Sequence, residues 1–463
     1  MLLEQFTQNS KERLMKLLRQ LIPLLIVLGL LVGSSAVLAQ DAVTEISFSI
    51  WVGCESSEAN AIRTAIEAYE ADNPDVKVNL VCIANDGYQE RISAMIASGT
   101  NPDMGYLNEA IALEWASEGA LLDLTDYFQN DPVAAARLPQ SFYRYGDNQI
   151  LGTNTGGEIM LLFYNKDNFD AAGLDYPPTN AANAWTWDQF VDVCKQLTID
   201  RSGNNAASAE FDPNNVDTFG CDAGTWWGAY HPLLVSNGAD IINEDGTALL
   251  LNTPEAQEVF QEMHDLIYVH HVMPSPSAFE SRQDVGLKTG KLAMQVSGHW
   301  STSDLADTEG LNFGIGVLPR FDEPVTTFLG GVTVIFANTP NPEAAFEFYT
   351  YHNDPEYVPM YSDGLWMPLK SDYYTDPAIR DTWLQGQPGV YPEGVEESIV
   401  DYTMNYAVQA PIYWVKNWTQ IMDEAVNPAI QAIFADEMSV PDALNQAVEM
   451  GNALTEGRWV EID

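Results

Sequence analysis

The alternation of strand and helix over residues 46–81 constrains this fold more than any other feature. Ile46, Phe48, Ile50 and Val52 recur at every second position, the period of a half-buried strand. Ile62, Ile66 and Tyr69 follow at helical spacing, and Asn73-Pro74 ends that helix. Val76, Val78, Leu80 and Val81 then read as a second strand. Strand, helix and strand in this order make a βαβ unit, and its repetition predicts a parallel sheet covered on both faces. Residues 161–163, 291–297, 312–318 and 332–337 read as further strands. Thr186 and Gln189 have capping-box spacing ahead of a helix striped by Phe190, Cys194 and Leu197. Thr253-Pro254 and Asn341-Pro342 open two more helices. Pro428 marks a kink and Pro441 a first turn near the C-terminus. A chain of 463 residues exceeds one ordinary core, so two or three domains are expected.

Lys11, Arg13, Lys16 and Arg19 precede an apolar run over residues 21–32, and Val37 and Ala39 suit a cleavage site before Gln40. Residues 1–39 therefore read as a secretory signal peptide, with an uncleaved membrane anchor as the alternative. No Cys closely follows the run, so a lipoprotein anchor is not indicated. The net charge is −46, and loss of the signal makes it roughly −48. Such acidity argues against nucleic acid, anionic lipid and phosphorylated ligands. Four cysteines remain, and an even number in an exported chain suggests disulfides. Cys54 and Cys82 follow neighbouring strands that would bring them together, which leaves Cys194 with Cys221. Zinc is the rival reading, but no CxxC or clustered His accompanies these cysteines.

Residues 98–108 read SGTNPDMGYLN. Tyr88, Ile92, Met95 and Ile96 stripe a helix, Gly99 suits its left-handed cap, and Met104, Tyr106 and Leu107 form a short strand. Asp103 is set between them, where its carboxylate either faces a cleft or caps a turn. Residues 53–58 leave the carboxyl end of the first strand, where open α/β sheets bind ligands. Ser57 and Glu58 are placed there, with helix capping as the other account of the serines. Trp226 and Trp227 in CDAGTWWGAYHP, Trp300 after a strand and Trp366 in DGLWMP lie in turn-rich loops rather than at helical core spacing. Such rings stack on the C–H faces of sugars while polar groups take the hydroxyls. The nucleophile elbow, the P-loop, the dinucleotide fingerprint and HExxH are all missing, and His270-His271 point apart on a helix. No carboxylate pair is singled out for glycoside hydrolysis. Residues 200–218 lack calcium-loop spacing and read as a solvated loop. The pattern is that of a binder, with a secreted carbohydrate-active enzyme as the rival.

Several motifs carry a resemblance in order: ASGTNPDM, GTNTGGEIMLLFYNKDNFDAAGL, NGADIINEDG, KTGKLAMQVSGHW, GIGVLPRF and FLGGVTVIFANTPNPEAAFEFYTY. The chain resembles the extracellular solute-binding proteins of ABC importers, of the carbohydrate-binding kind typified by maltose-binding protein. A proline usual in the second motif is absent here. The resemblance implies an α/β, two-lobed periplasmic-binding-protein-like fold of type II, with mixed sheets flanked by helices and a hinge that closes on ligand. Lobe I would hold residues 40–152 and 328–371, and lobe II residues 153–327 and 372–463. Asp103, Ser57, Glu58, Gly330 and Gly331 would form one wall of the cleft. Glu158, Trp226, Trp227 and Trp300 would come from the other wall or the hinge, and Trp51 and Trp366 complete the ligand-binding set. The resemblance further implies a sugar ligand, no catalysis, no cofactor or metal, a membrane permease as partner, and a monomer that is secreted, periplasmic or held at the cell surface. Polyamines, peptides and a glycerol phosphodiester are the alternative solutes.

Overall fold

A computed structural model describes residues 43–460. The expected signal peptide, residues 1–39, lies outside the described residues. The first sheet contains β1 (Thr44–Ile50), β2 (Val76–Cys82), β3 (Met104–Leu107), β4 (Phe142–Tyr145), β5 (Gln149–Asn154) and β12 (Val332–Ile335), in the order β2-β1-β3-β12-β5-β4. β1 lies parallel to both β2 and β3, as the βαβ pattern requires. The joining helix Ser57–Asp72 is capped by Ser56, whose hydroxyl accepts the Ala59 N–H. Helix Tyr88–Ser98 ends on Gly99 at φ 68°. Beyond β3 the sheet is not parallel. β12 runs antiparallel to β3 and β5, and β4 pairs antiparallel with β5. A three-residue turn joins β4 to β5, too short for a parallel crossover, and β12 arrives from the second sheet with no covering helix between.

The second sheet contains β6 (Glu158–Asn165), β7 (Ile199–Asp200), β8 (Val216–Asp222), β9 (Leu292–Gly298), β10 (Phe313–Gly316), β11 (Thr326–Leu329) and β13 (Ala407–Gln409). All eight residues of β6 are buried, which accounts for its unbroken apolar run. β9 pairs along one edge of β6, while β11 and then β10 pair along the other, all antiparallel. Helix Trp187–Leu197 opens on the expected capping box of Thr186 and Gln189. The helix beginning at Pro254 ends at Tyr268, so His270 and His271 are not helical, and His271 adopts a positive φ. In the loop after β7, the buried Asp200 carboxylate accepts the N–H groups of Ser202, Asn204 and Asp212. Its oxygens hold the loop together. Among the described residues no helix is long and apolar enough to cross a membrane.

Cys54 and Cys82 form the expected disulfide, with 5.3 Å between their Cα atoms. The second expected bond is absent: Cys194 and Cys221 are both free and buried. They face each other where helix Trp187–Leu197 packs on β8, and burial pushes the Cys194 thiol well above its usual range. That environment disfavours the thiolate through which disulfides form.

Three chain segments pass between the sheets side by side. Gly157 and Met367 exchange backbone hydrogen bonds of 2.8 and 3.0 Å, and the Thr155 N–H donates to Gly331 at 2.7 Å. Asn154 Nδ2 and the Tyr143 hydroxyl both donate to the Gly330 carbonyl, at 2.6 Å each. Gly330 holds φ 126°, and a Cβ there would lie 2.8 Å from the Gly156 carbonyl. Only glycine fits this crossing without strain.

Candidate ligand-binding cleft

The carboxyl ends of β1 and β3 open onto one cavity of about 770 Å³. Trp51 and Val52 follow β1, and Asn108 and Glu109 follow β3. The crossings contribute Thr155, Gly156, Glu158, Gly330 and Gly331. Trp226 and Trp227 enter from the start of helix Trp227–Ser236, and Trp300 from the turn after β9. Leu365, Trp366, Trp418, Asp423 and Asn427 complete the main contour. Six tryptophans thus surround one space. The Trp226 and Trp227 rings lie 5.3 Å apart at 76°, Trp226 and Trp300 6.1 Å apart, and Trp227 and Trp418 6.0 Å apart. Four rings sit directly over glycines: a Cβ on Gly331, Gly228, Gly298 or Gly156 would fall within 2.5 Å of Trp51, Trp226, Trp300 or Trp366 respectively. The glycines let the indoles lie flat.

Glu58 stands on helix Ser57–Asp72, and burial pushes its carboxyl up to about 7. Its Oε1 is shut off from solvent and meets no donor. Glu158 opens β6, and one of its oxygens accepts the Trp300 N–H at 2.9 Å. Burial, and to a lesser degree the charge of Glu58, hold Glu158 well above the carboxylate range. His299 lies 3.8 Å from Glu158, but burial pushes the imidazole down to about 3, so the contact is not an ion pair. Burial also raises Glu109.

Trp51, Glu58, Glu158, Trp226, Trp227, Trp300, Gly330, Gly331 and Trp366 all meet at the cavity. Ser57 does not; it is exposed and lines a smaller side pocket with Glu58, Asp363 and Gln387. Asp103 does not either. It precedes β3 at the amino end, where its carboxylate accepts the Ser47 N–H and hydroxyl and the Thr339 hydroxyl, each at 2.7 Å. It clamps β1 to the segment after β12, on the side of the sheet remote from the cleft. Asn108 and Glu109, at the carboxyl end of the same strand, occupy the place expected of it. The rule that placed Ser57 and Glu58 would have found them. Trp418, Asp423 and Asn427 carry no comparable signal, because Asp423 lies within a wide π-type turn, Met422–Val426, that breaks helical periodicity, and the other two stand on either side of it.

Two α/β units facing each other over an aromatic cleft, joined by hydrogen-bonded crossings, define a two-lobed ligand trap. Residues 55–359 match the family of bacterial extracellular solute-binding proteins, and the chain belongs to it. The family is one of binding proteins. An arabinooligosaccharide-binding protein of Halalkalibacterium halodurans is 26% identical over 363 residues, 74% of this chain and 73% of that one. The sn-glycerol-3-phosphate-binding periplasmic protein UgpB of Brucella abortus is 22% identical over 461 residues, 93% of this chain and 98% of that one. Among solved structures, an ABC substrate-binding protein of Listeria monocytogenes in complex with cycloalternan superposes with a TM-score of 0.73 at 24% identity, covering 89% of this chain and 98% of that one.

Proposed function

We propose that this chain captures a sugar or oligosaccharide outside the cytoplasm and delivers it to the membrane permease subunits of an ABC importer. The observation that carries the reading is the cleft itself, where six tryptophans and a few amides and carboxylates surround about 770 Å³. Flat apolar rings match the C–H faces of pyranoses, and the polar groups match their hydroxyls. The sugar ligands named for the Halalkalibacterium and Listeria relatives support it. Glycerol phosphate, named for the Brucella relative, is disfavoured because a phosphate calls for Lys or Arg and the described lining offers neither. On this reading the chain acts as a monomer, without turnover, after cleavage of residues 1–39. Lobe I comprises residues 40–152 and 328–371, lobe II residues 153–327 and 372–463, and Trp51, Glu58, Glu158, Trp226, Trp227, Trp300 and Trp366 contact the ligand.

A thermal-shift screen over sugars, polyols, amines and peptides tests the reading. A ligand at one hundred times its dissociation constant adds about 2.7 kcal/mol of stability. Stabilisation by an oligosaccharide that is recovered intact supports the proposal. Hydrolysis of the sugar, or stabilisation by peptides alone, sinks it.

A further inference from the structure

The charge of the cleft is one-sided. Glu58, Glu109, Glu158 and Asp423 line it, and among the described residues no Lys, Arg or His does, His299 standing 3.8 Å behind Glu158 as a neutral imidazole. Neutral hydroxyls alone do not require such a bias, since each buried carboxylate carries a desolvation cost. Glu158 is partly committed, holding the Trp300 N–H. Glu58 is not: its Oε1 is buried and unpartnered. Both carboxyls open onto the same cavity, Glu58 from the helix after β1 and Glu158 from the first residue of β6. A cation between them satisfies the free oxygen and offsets the negative charge of the pair. The surrounding indole faces favour a cation as well. Asn85, Asn108, Thr155 and Asn427 supply donors and acceptors for hydroxyls, which a linear polyamine lacks.

We propose that the cleft takes an oligosaccharide bearing a protonated amine, seated between Glu58 and Glu158, in preference to a neutral or anionic sugar. The proposal rests on the reading of this cleft as the solute site. Matched pairs test it: glucosamine and galactosamine di- and trisaccharides against their N-acetylated counterparts, titrated calorimetrically at pH 6.5, with spermidine and a sugar phosphate beside them. The best amine binds at least about tenfold tighter than its N-acetyl partner. In Glu58→Gln, and separately in Glu158→Gln, the amine loses more affinity than its N-acetyl partner and that ratio falls toward one, while a cooperative thermal melt reports a folded chain. Equal affinities within every pair, or a ratio that survives both substitutions, overturn the amine and leave sugar capture standing. Spermidine binding tighter than every saccharide, or no saccharide binding at all, overturns both.

Discussion

Trp300 and Trp366 both line the cleft but stand in it differently. Trp300 is half-buried over Gly298, whereas Trp366 is only 5% exposed and packs against Tyr106, His352 and Tyr361. Trp300→Ala should weaken ligand binding by about 0.5–1.5 kcal/mol beyond lost area, with little loss of melting temperature. Trp366→Ala should cost about 3–5 kcal/mol of stability, because it empties a core position. Calorimetry of binding and thermal denaturation on both variants separates the roles; reversed results would exchange them. Glu58 gives a pH signature. Its carboxyl rises from 4.5 to about 7 through burial, so the folded chain holds this proton more tightly than the unfolded one. The stability it contributes is full below pH 4.5 and is lost as pH rises through 7. Glu58→Gln cannot ionise, so its stability relative to the parent should grow over that window by on the order of 3 kcal/mol. A difference that stays flat from pH 4 to 8 would contradict the burial.

The strand ends, more than the strands, separate what could be read from the residues from what could not. β1 and β2, the helix caps at Gly99 and Thr186 and the aromatic loops are local patterns, and all appear, although β1 stops at Ile50 and leaves Val52 beyond its end. Asp103 and Glu109 flank the same four-residue strand, and only its direction tells which end meets the cleft. The antiparallel entry of β12 is invisible locally, because it depends on a partner more than two hundred residues earlier. Asn427 and Asp423 are hidden for another reason: Pro428 has no N–H to return to the preceding turn, and the helix widens there. The disulfide was legible because it joins elements already known to be neighbours. It closes a separation of 28 residues between the β1 end and the β2 end. Its reduction should remove about 3 kcal/mol of stability, read as a lower denaturant midpoint with thiol reagent. An unchanged midpoint would mean the loop is already held by its packing.

The two lobes share three hydrogen-bonded crossings, so closure has to be absorbed within a few residues on either side of Gly157, Gly330 and Met367. Ligand should therefore shrink the radius of gyration seen by small-angle scattering. Gly330→Ala, forced into φ 126° against the Gly156 carbonyl, should lose about 1–3 kcal/mol of stability and blunt that shrinkage. Full compaction in the variant would move the hinge elsewhere. The placement of β12 also sets a timetable for synthesis. By Asn154 a growing chain has made β1 to β5, yet the slot between β3 and β5 stays empty until Val332 emerges. Every strand of the second sheet except β13 is made in the interval. For that time two adjacent edges lie open to any passing copy of the strand that belongs between them. Stalled or truncated chains should stick to one another there first.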